Sequence, residues 1–420
     1  MAVFVPFKGV RYNLRNTDLS KNVCPPFDVI NSRQREELIG ASPDNIVSVE
    51  LPAGDSNRYS AAADKLDRMM SSGLLSADAD DSFYIIRTEF SLDGAPMTVE
   101  SITGRLKLEP FGGMVLPHEY TRSADKQDRL ELMKATAANI SPVYTLVDDS
   151  SDFLGSVIRQ AAESEPAAAA SFDGMVHSVY TVSGQTAAEI SGFFADKPLI
   201  IADGHHRYET ALAYKSYRES LGEVIDENHP AGYIMTSCAA ARQPGLIVMP
   251  THRVVTWRDG FSSQALLEQC GSEFEVIPVE RDSAALRLAD CYNSADAAFL
   301  YYDGDFSLIR KKPGEDLSSF LPDKSEAYRN LDLSALHSVI LSKHLGIDDA
   351  EMTAGTSLIY TRDFNEVVAL VDSRKACCAF IVNPTKVLDV MKVALSGERM
   401  PQKSTFFYPK LITGLVINKM

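Results

Sequence analysis

The spacing of apolar residues predicts a chain in which strands and helices are interleaved. Residues 82–90 are strand-like, Asp93-Gly94 signals a hairpin turn, and a return strand is predicted over about 97–108. Ahead of them, residues 59–75 have helical spacing, with Ala63, Leu66, Met69, Met70 and Leu74 on one side. Residues 45–51 read as a buried strand, and Pro25-Pro26-Phe27-Asp28 as a rigid turn. Residues 110–121 are rich in turn formers, so a loop is expected there. A charged helix should follow over about 123–139, with Asp125 and Arg129 paired one turn apart. The Pro-Ala-Ala-Ala-Ala stretch within 161–171 reads as a surface connection, and a helix closes over 190–194. Residues 199–202 form a short buried strand. A helix then runs from about 205 to 221, with Tyr208, Ala211 and Leu212 on one face. Further on, 264–300 and 303–312 alternate between helix and strand, and 331–345 is an amphipathic helix. No internal repeat of about 20–50 residues is visible.

Composition narrows the function classes. The chain has 420 residues, 45% apolar and 23% charged, as expected for a globular protein of more than one domain. The net charge of -16 repels a phosphate backbone, so general nucleic-acid binding is disfavoured and an anionic ligand needs a focused local site. The six cysteines are scattered, with no Cys-x-x-Cys pair, which argues against structural zinc and a disulfide framework. No secretory signal opens the chain, and no apolar run reaches the roughly 18–20 residues of a membrane span. A cytoplasmic protein without a membrane partner is expected.

The richest chemistry lies in Asp203-Gly204-His205-His206-Arg207. A buried strand ends here and a helix begins. Gly204 permits a tight turn and close approach of a ligand. The first helical N–H groups, with the positive end of the helix dipole, make an anion site. Arg207 adds a fork matched to phosphate or carboxylate, and His205 and His206 add donors or proton carriers. Asp203 could act as a base, hold a metal ion, or cap the helix. Elsewhere, Lys403-Ser404-Thr405, followed by Tyr408 and Lys410, suits an anion but is equally a charged segment packed by Phe406 and Phe407. His252-Arg253 also borders an apolar run, as substrate ligands or as structural groups. Asn139, Ser141 and Pro142 could line the site or end the preceding helix. Neither a phosphate loop, nor a Gly-x-Gly-x-x-Gly turn, nor a Gly-x-Ser-x-Gly elbow occurs.

The stretch Leu199-Ile200-Ile201-Ala202-Asp203-Gly204-His205-His206-Arg207-Tyr208-Glu209-Thr210-Ala211 resembles the core of the ParB/sulfiredoxin-like superfamily, in particular the ADP-dependent free serine kinases. Across nearly its whole length the chain resembles a large uncharacterised bacterial and archaeal family with that motif, through residues 24–30, Pro117-His118-Glu119, Pro250-Thr251-His252-Arg253 and residues 400–410. The resemblance implies an α+β fold: a ParB/sulfiredoxin-like core with a mixed sheet over 101–255, carrying an insertion, with an α/β segment over 1–100 and an α/β domain over 256–420. It implies that Glu119, in a His-Glu motif, is the general base, with Asp203 and His206 beside it. Gly204, His205, His206 and Arg207 would bind phosphate with Lys403, Ser404 and Thr405. His118, His252 and Arg253 would contact substrate, and Asp203 would hold Mg²⁺. The expected activity is phosphotransfer on a small hydroxyl metabolite, free serine or phosphoserine, with ADP, ATP or pyrophosphate as partner. A nucleotide-binding switch or partition-type protein, and a non-catalytic sensor, are the alternatives.

Overall fold

A computed structural model describes residues 1–15, 17–54, 57–120, 123–294 and 296–420, with side chains described for all of these but 123–125 and 349. The chain forms an α+β structure of two units, residues 1–246 with 409–420, and residues 247–408. The segments expected over 1–100 and 101–255 both contribute strands to one sheet in the first unit.

Nine described strands make that sheet. Its order is Val115–Pro117, Leu199–Asp203, Val143–Val147, Tyr233–Ala240, Ala95–Lys107, Phe83–Leu92, Met175–Val182 and Ala168–Phe172, with Phe4–Val5 added to Ala95–Lys107. Two pairings are parallel: Leu199–Asp203 with Val115–Pro117, and Tyr233–Ala240 with Val143–Val147. The hairpin at Asp93-Gly94 forms as expected, both residues having left-handed φ, +50° and +81°. Because side chains alternate along a strand, Phe83 and Ile85 enter one core and Tyr84 and Ile86 another. The first core is closed by helices Phe153–Ala161, Gly184–Phe194 and His205–Ser220. Ile190 and Phe194, one helical turn apart, are fully buried there and contribute about 2–3 kcal/mol each. The second core takes in helix Arg58–Ser71 and the C-terminal Ile412, Leu415, Val416 and Ile417.

Several local expectations fail. Residues 45–51 are helical over Val47–Glu50, where the Asn45 side chain accepts the Val47 N–H and donates to the carbonyls of Lys21 and Val23. The alanine run is the edge strand Ala168–Phe172, because pairing with Met175–Val182 outweighs the low strand propensity of alanine. The loop expected over 110–121 contains the strand Val115–Pro117, and the following helix stops at Thr136. Helix Arg58–Ser71 buries Ala62 rather than Ala63. Asp125's side chain lies outside the described residues. Arg129 is buried, donating to the Glu50 carbonyl and pairing with Asp128.

The second unit is built on six antiparallel strands in the order Phe274–Val279, Phe306–Lys311, Ala298–Tyr302, Ala376–Val382, His252–Thr256 and Leu358–Thr361. Helices cover both faces, and the one expected over 331–345 runs through Asp332–Ala335 into wider π-helical turns over Leu336–His344. Among the described residues no helix is long and apolar enough to cross a membrane.

Candidate active site

The site is assembled where strand ends of the first sheet converge. Leu199–Asp203 runs parallel to Val115–Pro117, so Asp203 and His118 emerge at the same edge. The antiparallel neighbour Val143–Val147 brings its start, and Pro142, to that edge; a bulge sets Asp203 opposite Tyr144. Gly204 then turns the chain into helix His205–Ser220 with φ +86° and ψ 28°, a conformation that glycine alone adopts cheaply. A Cβ at 204 would lie 2.8 Å from Arg207 Nε. The glycine thus makes room for the arginine.

Arg207 folds back over this turn. Its Nη2 donates to Asp203 Oδ2 at 2.6 Å, and its Nη1 to the Pro142 carbonyl. Lys410 Nζ donates to Asp203 Oδ1 at 2.6 Å. Asp203 is therefore held between two cations. Burial pushes its carboxyl up, but Lys410 and Arg207 outweigh this and keep it below the ordinary carboxylate value. The expected Mg²⁺ does not fit here, since both oxygens already neutralise cations. Among the described residues no group of three or more His, Cys, Asp or Glu is placed to hold a metal ion. Arg207, expected to grip an anion, spends its fork on Asp203 and the backbone. Lys410 stands out in the sequence as part of a cationic segment, but no local pattern joins it to Asp203, 207 positions away.

On the other side of the turn, the His118 N–H donates to His205 Nε2 at 3.2 Å, and the two rings meet edge to face at 4.8 Å. His118 is fully buried, with Nδ1 on the Ile201 carbonyl, so that nitrogen carries the proton. Glu119 Oε1 lies 3.7 Å from His118 Nε2. The His-Glu motif and the Asp203–Arg207 turn are brought together. His205 departs from expectation as a proton carrier near neutral pH. Burial, with His118 beside it, pushes its imidazole down to about 3. It stays neutral and accepts a backbone N–H. His206 is half-buried in the first turn of the helix, whose start has no side-chain cap.

The remaining candidates belong to the second unit. Arg253 is fully buried and donates to the carbonyls of Thr251, Gln402 and Lys403 and to His337 Nε2. His252 Nδ1 accepts the Val382 N–H at 3.3 Å. Buried Ser404 donates to the Pro401 carbonyl, and Lys403 has a left-handed φ of +55°. Thr405 is half-buried in the same segment.

Residues 4–334 match the family model DUF1015, described as a protein of unknown function. The chain belongs to this family. No curated protein matches it. Among solved structures, a conserved hypothetical protein from Pyrococcus furiosus is 14% identical at a TM-score of 0.34, over 73% of this chain and 92% of that one. A free serine kinase in complex with AMP is 13% identical at 0.32, over 72% and 89%. SbnI with a C-terminal truncation, from Staphylococcus aureus, is 10% identical at 0.33, over 73% and 84%. Likenesses this distant assign no residue or ligand here.

Proposed function

We propose that the first unit is a phosphotransferase acting on the hydroxyl of a small metabolite, free serine or phosphoserine being the class implied by the ParB/sulfiredoxin-like resemblance, with ADP, ATP or pyrophosphate as the phosphoryl partner. One observation carries this reading: the Glu119 carboxylate stands beside the start of helix His205–Ser220, joined to it by the His118 N–H bond to His205. A phosphoryl group resting on the helix start would be stabilised by backbone N–H groups and the helix dipole. The Lys410 ammonium, steered by Asp203, adds positive charge at that edge. Glu119 takes the hydroxyl proton as the oxygen attacks the donor's terminal phosphorus, the bond from that phosphorus to the bridging oxygen breaks, and the donor leaves one phosphate shorter; in the reverse direction Glu119 returns the proton. Neutral His205 fixes the backbone of the Glu119 loop. Positioning and charge neutralisation supply most of the catalysis that phosphoryl transfer needs. Arg207 orders Asp203 rather than touching phosphate, and the second unit's His252, Arg253, Lys403, Ser404 and Thr405 are given no role.

The test is to incubate the full chain with serine or phosphoserine and magnesium salts of ATP, ADP, AMP or pyrophosphate, following phosphorus by NMR. Transfer that falls by about 10²-fold or more in Glu119→Gln, and clearly in Asp203→Asn, is expected. Nucleotide binding without turnover would favour a nucleotide-binding switch instead. Absence of binding by any phosphate compound would sink both readings.

A further inference from the structure

Behind the Asp203–Arg207 pair lies a cavity of about 40 Å³ lined by Glu50, Asn139, Ser141, Arg207 and Thr210 among others. Three buried polar atoms of these residues have no hydrogen-bond partner among the described residues: Arg207 Nε, Asn139 Nδ2 and Thr210 Oγ1. Their residues are 7%, 3% and 1% exposed. Such groups are costly unless satisfied, and three around one space is more than a packing accident accommodates. Glu50, 3% exposed, shares the wall, with Oε1 accepting from Ser141 Oγ at 2.8 Å.

We propose that this cavity is a built hydration site, in which water bridges Arg207 Nε, Asn139 Nδ2 and Thr210 Oγ1 to the Glu50 carboxyl. The volume suits about one to three waters. The donor set selects the species. Asn139 Oδ1 already accepts from the Met235 N–H and Asn418 Nδ2, so its amide presents only N–H to the cavity. Arg207 Nε likewise only donates. Two obligate donors repel a metal cation, and the Glu50 carboxyl, which accepts from Ser141, calls for a species that donates as well as accepts. Water accepts from both donors and gives its protons to Glu50 and Thr210. The bridge completes the hydrogen bonding of the Arg207 guanidinium, whose other nitrogens hold Asp203 and Pro142, and so fixes the plane in which Asp203 is held. This holds whatever reaction the site performs.

The experiment is a crystal structure of the full chain grown with sodium bromide. Density bonded to Arg207 Nε and Asn139 Nδ2 without anomalous signal is expected. An anomalous bromide peak, or no density in the cavity, overturns the proposal. In solution, arginine-labelled protein should give a cross-peak between the Arg207 Nε–H and water, and Thr210→Val, near-isosteric and lacking the hydroxyl, should weaken it. A native chain without that cross-peak also overturns the proposal.

Discussion

Arg207 and Arg253 each follow a histidine and each is buried, yet they are stabilised in different ways. Arg207 faces a carboxylate that also holds Lys410, so charge meets charge. Arg253 is surrounded by main-chain carbonyls and a histidine, and burial pushes its guanidinium down to about 10. The first arrangement concentrates charge beside a helix start. The second staples the turn at Gln402-Lys403 onto strand His252–Thr256. The lesson is that a buried arginine marks a functional site only through what it is paired with.

The largest effect should come from breaking the charged cluster. Asp203→Ala leaves Arg207 and Lys410 without their carboxylate, and a loss of about 3–5 kcal/mol is expected in the first unit. Hydrogen exchange resolved by unit would measure it, and Lys410→Met added to Asp203→Ala should recover part of it. A loss below about 1 kcal/mol would mean that the cluster is no tighter than a surface ion pair. Arg253→Met should cost somewhat less, about 2–3 kcal/mol, because it strands neutral carbonyls and no charge. Hydrogen exchange in the second unit, residues 247–408, reports that loss. Equal costs for the two variants would mean that the two arginines are stabilised alike.

The histidines sharpen the comparison at smaller scale. His205 and His252 are both neutral acceptors of a backbone N–H, pushed down to about 3 and about 4 from an ordinary 6.5, first by burial and then by His118 and Arg253 respectively. The folded state refuses a proton that the unfolded chain takes. Stability is therefore full above about pH 6.5 and is lost as pH falls toward the folded values. Replacing either by Gln should flatten the dependence of stability on pH between about 6 and 4.5 by about 1.4 kcal/mol per unit. Unchanged slopes would show that these imidazoles are charged in the folded protein.

Periodicity and turn chemistry, being local, were legible without the fold. The Asp93-Gly94 hairpin, the buried strand before Asp203, the glycine turn and the helix after it all follow from neighbours within a few residues. The resemblance also brought out Glu119, which follows the strand Val115–Pro117 that runs parallel to Leu199–Asp203. That pairing itself was invisible: three residues between turn formers carry too little pattern to declare a strand. Residues 45–51 misled for a similar reason. Their apolar run suits a strand as well as a helix, and Asn45's bonds to Lys21 and Val23 decided the matter from outside the segment.

By itself, then, the sequence determined where charge and helix start coincide. Only the tertiary structure decided how that charge is used. It turned Arg207 inward to Asp203 and Pro142, supplied Lys410 from the C-terminal segment, set Glu50 behind the pair, and silenced His205 by burying it against His118. The physical reason is that a side chain's charge and hydrogen-bonding capacity are properties of its residue, while its partners and its dielectric are set by chain segments up to 207 positions away.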